Sequence, residues 1–110
     1  MKKIMWLSLG LLCATAVSTL AADVKENWDK QCAKCHGPDG KGDTKMGKKS
    51  GVKDYSDAKV LAELKDDLAF KHVKEGMKEG DKTKMKPYGD VLSDTEIKAL
   101  VAYIREFGKK

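Results

Sequence analysis

The stretch Cys32-Ala33-Lys34-Cys35-His36-Gly37-Pro38-Asp39-Gly40-Lys41-Gly42 sets two thiols three residues apart, an imidazole directly after the second, and glycines behind it. Positions three apart on a helix share a face, and a residue just past the second can turn back over that face. Upstream, Val24, Trp28, Cys32 and Cys35 follow at spacings of four, four and three, which is the period of one helix face. The stretch therefore reads as the end of a helix that presents both thiols to one side. Gly37 to Gly51 has five glycines, Pro38 and no apolar period, so it reads as a loop whose backbone can approach a flat ligand closely.

Further along, Ser56 to Gly76 is helical in pattern. Val60, Leu64 and Leu68 repeat at four, and Ala69, Val73 and Met77 repeat at four on a shifted face. A break near Lys65-Asp66 is expected to divide this region into two short helices, with Gly76 just past the second. Met77 to Val91 lacks periodicity and contains Pro87, so it reads as a second long loop, and loops of that length in a compact domain usually serve a function. Ser93-Asp94-Thr95-Glu96 reads as a capping box, followed by an apolar stripe of Ile97, Leu100, Val101, Ile104 and Phe107. Trp28 and Phe107 are expected to help the first and last helices pack. No alternating strand pattern appears, so the class is all-α with long loops, and so short a chain buries only a modest core.

The first 22 residues read differently from the rest. Met1-Lys2-Lys3 is basic, Ile4 to Val17 is uncharged and mostly apolar, and Ser18-Thr19-Leu20-Ala21-Ala22 supplies the small residues of a cleavage site. The expected organisation is a signal peptide over residues 1–22 and one domain over residues 23–110. An uncleaved anchor is disfavoured by the Ser, Thr, Gly and Ala content, and a lipoprotein reading of Cys13 by Leu12 before it. Export leaves Cys32 and Cys35 as the cysteines of the mature chain, in an oxidising compartment, which excludes a framework of several disulfides. The net charge of +5 includes Lys2 and Lys3; without them 20 basic residues face 17 acidic ones. Such mild, dispersed charge is no nucleic-acid stripe.

Cys-x-x-Cys-His is the signature of c-type haem attachment: each sulfur can form a thioether with one vinyl group of the ring, and the imidazole lands over the metal at its centre. Three other readings compete. A thioredoxin-like redox pair needs a βαβ context, which this chain lacks, and has no use for His36. A zinc site needs four ligands, and His72 is the remaining histidine. A structural disulfide with a coincidental histidine is the third.

The ordered set CAKCHGPDGKG, KMKPYG and LSDTEIKALVAYIREF, which spans most of the chain after residue 22, resembles the small bacterial class I cytochromes c. The resemblance implies a small cytochrome c-like fold of about four helices with long loops, wrapped around one haem c held covalently through Cys32 and Cys35. It also implies iron ligated by His36 and a methionine. Met85 is the favoured sixth ligand, because Met85, Pro87, Tyr88, Gly89, Leu92, Ser93 and Asp94 follow the family order. Met46, Met77 and His72 stand as rivals. Two departures are visible. Lys86 intervenes where many relatives have proline directly after the methionine, and Lys48 and Lys49 lie where many have a proline whose carbonyl accepts the imidazole N–H.

His36 and Met85 on opposite sides leave the iron no vacant position, so the implied function is one-electron carriage outside the cytoplasm, in the periplasm, without enzymatic chemistry. Trp28, Tyr55, Phe70, Tyr88, Tyr103 and Phe107 read as core and pocket aromatics. The implied partners are transient redox proteins, with Lys34, Lys41, Lys45, Lys48, Lys49, Lys84 and Lys86 available to acidic surfaces. A monomer with neither nucleic-acid partner nor membrane anchor is expected. Two alternatives remain: a haem subunit of a larger redox complex, and a gas-binding or peroxidase-type protein if Met85 is labile. Arg105 is the sole arginine that a peroxidase arrangement could draw on.

Overall fold

In the computed structural model, which describes residues 23–109, residues 23–36 wind as one helical segment, α1. It widens to a π-helix over Trp28–Cys32 and closes as an α-helix over Ala33–His36. The Ala33 amide donates to the Trp28 carbonyl, one residue further back than in an α-helix. The expected signal peptide, with Cys13 and the cleavage site, lies outside the described residues.

The chain continues through α2 (Lys45–Ser50), α3 (Ala58–Glu63), α4 (Asp66–Glu75), the strands β1 (Met77–Glu79) and β2 (Lys82–Met85), and α5 (Asp94–Phe107). Two of these elements depart from expectation. The glycine-rich run contains a helix, α2, because the Thr44 hydroxyl accepts from the Gly47 amide at its start and Gly51 ends it in the left-handed region. The described residues thus hold five helices where about four were expected. The second loop is a hairpin: β1 and β2 pair antiparallel, with Met77 opposite Met85 and an irregularity after Met77. Most of its residues are exposed, so backbone pairing rather than burial makes it, and no alternating pattern marks it.

The break near Lys65-Asp66 is present, and α5 holds it. Arg105 Nη1 donates to the Leu61 carbonyl at 2.6 Å, Nη2 donates to the Leu64 carbonyl, and Nε donates to Asp66 at 3.0 Å. One guanidinium thereby takes up open carbonyls at the end of α3 and pairs with the first residue of α4. The break also resets the helix face. Leu61 is buried, whereas Leu68, which the sequence pattern puts on one stripe with Val60 and Leu64, is 42% exposed. Ala69 and Val73 are buried as expected, but Met77 is exposed because the chain has left the helix for β1.

The capping box of α5 is complete: the Ser93 amide donates to Glu96 at 2.8 Å and the Glu96 amide donates to Ser93 Oγ at 3.1 Å. Behind it Ile97, Leu100, Val101, Ile104 and Phe107 are all buried, each side chain contributing about 1.5–3 kcal/mol on full burial. The stripe packs on α1, with the Trp28 ring 5.1 Å from Phe107 and 5.6 Å from Tyr103 between centroids.

Two glycines make close approaches possible. Gly40, at φ 74°, lies where any Cβ would enter the Phe107 ring, so the loop after His36 rests directly on α5. Gly76, at φ 79° and ψ −179°, ends α4 in a region that only glycine adopts readily. A Cβ there would stand 2.6 Å from the Met85 carbonyl oxygen and 2.9 Å from the Pro87 nitrogen. Gly76→Ala should therefore lower stability by about 2–3 kcal/mol, measured as a lower denaturant midpoint with unchanged slope; stability equal to the parent would mean that the backbone around Met85 does not rest on Gly76. A second outcome concerns acid. The Ser93 amide, then Asn27, hold the Glu96 carboxyl below its ordinary 4.5. A depressed folded value contributes stability that is present above 4.5 and lost as pH falls through the folded value. Glu96→Gln should flatten that part of the stability-against-pH curve, and an unchanged slope would mean that the box carries no pH dependence.

Candidate haem site

The site begins with the backbone that carries Cys35 and His36. The Trp28 indole N–H donates to the Gly37 carbonyl at 3.0 Å, and the Thr44 hydroxyl donates to the Cys35 carbonyl at 2.8 Å. The Gly42 amide donates to the His36 carbonyl and the Gly37 amide to the Ala33 carbonyl, both at 2.8 Å. Consecutive carbonyls at the end of α1, which a helix terminus leaves open, are thus met by Trp28 from within α1 and by Gly42 and Thr44 from the loop that follows. Gly47 of α2 fits directly against the Cys35 carbonyl, where a Cβ would collide.

The imidazole of His36 lies between two aromatic rings. Tyr55 stacks on it at 5.2 Å and 19°, and Trp28 stands at 5.8 Å on a tilted plane. Burial lowers the His36 pKa from its ordinary 6.5, so the ring is neutral at neutral pH. Its Nδ1 is buried with no hydrogen-bond partner. The acceptor expected for the imidazole N–H is therefore not supplied at Nδ1, neither by the neighbourhood of Lys48 and Lys49 nor by any other group.

Cys32 and Cys35 are free thiols, the first buried and the second half-buried. Burial, reinforced by the neighbouring Cys35, pushes the Cys32 thiol up to about 12, so it is protonated at neutral pH. Tyr88 is buried near both thiols, and its hydroxyl is raised first by burial and then by each of them.

Among the methionines, Met85 is half-buried against the core cluster that contains Cys32, Trp28 and Tyr88. Met46 on α2 and Met77 on β1 are 42% and 40% exposed. His72 is half-buried within α4. Met85 is thus packed against the core that contains Cys32, and its two methionine rivals are turned largely to solvent.

Several residues that shape the site carried no sequence signal strong enough to find them. Thr44 had a weak one, as a threonine opening a helical turn. Tyr88 was read only as a pocket aromatic, yet its hydroxyl donates to the Gln31 carbonyl at 2.9 Å, next to Cys32. Among the described residues no group of three or more His, Cys, Asp and Glu side chains is placed to hold a bare metal ion, so the zinc reading gains no support. Also among them, no helix is long and apolar enough to cross a membrane.

Two thiols, a neutral imidazole with an unsatisfied buried nitrogen, and a half-buried thioether suit an iron porphyrin in donor type. The comparisons agree. A family model described as cytochrome c oxidase, cbb3-type, subunit III matches residues 19–104. Among solved structures, the chain is similar to the c-type cytochrome KustC0563, at 30% identity and a TM-score of 0.68, over 76% of this chain and 94% of that one. A tyrosine-to-phenylalanine mutant of KustC0563 matches with the same identity and TM-score, over 77% and 98%. No curated protein sequence matched. With most of its length inside the family model and its histidine set among thiols and aromatic rings, the chain belongs to the cbb3-type subunit III family of c-type cytochrome domains, carriers of electrons on haem.

Proposed function

We propose that the protein is a periplasmic one-electron carrier holding one haem c covalently through Cys32 and Cys35, with His36 and Met85 as axial ligands. The observation that carries this reading is the His36 imidazole: half-buried, in ring contact with Trp28 and Tyr55, with a buried Nδ1 that has no partner among the described residues, beside two free thiols. Each thiol would add S–H across one vinyl group, sulfur to one carbon and hydrogen to the other, a step that needs no oxidant. A neutral imidazole has a lone pair to offer a metal, which a protonated one lacks. Bound haem supplies a one-electron couple.

Met85 is preferred as the sixth ligand because it packs on the core that contains Cys32, whereas Met46 and Met77 are largely exposed. With His36 and Met85 both holding the iron, substrate would be kept from the metal, and the bound haem would supply electron exchange rather than bond chemistry. A thioether is a weak, neutral donor that favours the reduced state, so a moderately positive potential follows.

A carrier must dock and leave quickly, through a small contact steered by charge. Of the lysines near the two loops, Lys48 pairs with Asp43 at 3.1 Å and Lys86 lies over the Tyr88 ring at 5.5 Å. The surface around Lys34, Lys41, Lys45, Lys49 and Lys84 is rich in lysine and suits an acidic partner met transiently by a monomer.

The absorption spectrum of purified ferric and ferrous protein tests the site. Thioether-linked haem and a sulfur-to-iron charge-transfer band are expected together. Met85→Ala should abolish the band and open the ferrous protein to carbon monoxide, while Met77→Ala should spare it; the reverse pattern would assign the ligand to Met77. A second outcome concerns the fold. Replacing Cys32 and Cys35 together by Ala should give colourless protein with reduced helicity by circular dichroism, and full helicity would show that the chain folds without the group.

A further inference from the structure

The Tyr88 hydroxyl makes a contact that packing alone does not require. Tyr88 is 7% exposed, and its ring belongs to the same buried cluster as Trp28, Cys32 and Ile97. A phenylalanine ring would fill that space equally well. What the hydroxyl adds is a hydrogen bond across 57 positions of sequence, 2.9 Å to the main-chain carbonyl of Gln31. Gln31 lies within the π-helical turn and immediately precedes Cys32. Widened turns displace carbonyls from the regular helix ladder, which leaves them open to partners from elsewhere in the fold.

The other attachments of this loop run to a different element. The Tyr88 amide donates to the Val73 carbonyl at 2.9 Å and the Gly89 amide to the Lys74 carbonyl at 3.1 Å, both in the last turns of α4. Gly76 lets the Met85 and Pro87 backbone lie against the end of the same helix. Main-chain contacts therefore fix the loop relative to α4, whereas the Tyr88 hydroxyl fixes it relative to α1, where the thiols are. Between Met85 and Tyr88 stand only Lys86 and Pro87, and proline removes one backbone freedom from that short lever. Lys86 is drawn aside, with its ammonium over the Tyr88 ring.

We propose that Tyr88 is a positioning residue for the electron-transfer site: its hydroxyl, bonded to the Gln31 carbonyl, holds the Met85 loop in register with the helix that carries Cys32 and Cys35, and so keeps the methionine ligand in place. This rests on the reading of Met85 as the sixth ligand. In this role Tyr88 acts through Met85.

The test uses the holoprotein and its Tyr88→Phe and Gln31→Ala variants. Ferric protein is titrated with imidazole, which competes with the methionine for iron, and the charge-transfer band and the helical circular dichroism are followed during heating. Loss of one neutral hydrogen bond should let imidazole bind Tyr88→Phe about five-fold more tightly. The band should also disappear at a lower temperature than the helicity. Gln31→Ala should match the parent, because the contact is to the main chain. Unchanged imidazole affinity in Tyr88→Phe, or band and helicity lost together at one lowered temperature, would overturn the proposal and leave Tyr88 as a core ring. An equal effect from Gln31→Ala would overturn the carbonyl link. If the parent shows no such band, or Met85→Ala retains it, the ligand assignment fails and this inference fails with it; a band that depends on Met85 but is indifferent to Tyr88 removes this inference alone.

Discussion

Five hydrogen bonds meet at carbonyls of the residues Ala33 to Gly37, and all but the Gly37-to-Ala33 bond come from outside that stretch. Helix ends leave carbonyls open, and here the open carbonyls of Cys35, His36 and Gly37 belong to the segment that must keep a thiol and an imidazole in fixed relation. Their donors come from Thr44 and Gly42 in the following loop and from Trp28 one helical stretch earlier. Each bond is worth only about 1 kcal/mol net, so no single one dominates. Their effect is geometric, since each meets a different carbonyl from a different direction. Trp28 is the most consequential donor, because its indole also sits in the core at 1% exposure and contacts Tyr103 and Phe107. Packing of α5 on α1 and the placement of His36 are for that reason one event.

The last helix acts a second time through Arg105. Its guanidinium closes the end of α3 and pairs with Asp66, which fixes where α4 begins. The direction of α4 in turn sets where Gly76 lies, and Gly76 receives the backbone of Met85 and Pro87. A chain of contacts thus runs from α5 through the break and along α4 to the loop bearing the favoured sixth ligand. Phe107 continues the pattern at the other end, where Gly40 lets the loop after His36 rest on its ring. A thin core is adequate because its largest helix supports both sides of the site at once.

The parts of this arrangement that were legible in sequence are those governed by neighbours in the chain. The Ser93–Glu96 box, the stripe behind it and the break before Asp66 each depend on residues a few positions apart, and each stands as read; the thiol and imidazole spacing is local in the same way. The parts that were not legible depend on backbone or on distance. Helix α2 holds a single large apolar residue, Met46, and that residue is exposed, so no periodicity marks it. The hairpin forms from lysine-rich strands with little burial, which leaves no alternation. The π-helical turn over Trp28–Cys32 departs from the α-helical period that the spacing of Val24, Trp28 and Cys32 implies, and no residue pattern marks it. Arg105 and Tyr88 meet carbonyls 41 and 57 positions away, and no local pattern encodes such pairs. Leu68 was placed on the buried stripe with Val60 and Leu64 because the period was carried across a break that resets it.

The electrostatics of the site follow from the same burial. Burial lowers His36 and raises Cys32, Tyr55 and Tyr88, so all four groups are neutral at neutral pH. Among the described residues no fully buried side chain is charged. The charged side chains of the described residues are therefore left to partly or fully exposed positions. A haem held among these neutral side chains would find no buried anionic side chain of the described residues to stabilise the additional positive charge of its oxidised state, which would raise its potential. On the proposed reading, surface charge and the neutral site would be separated in space, so surface lysines could steer docking while contributing little to the driving force, because solvent screens them over about 8–10 Å.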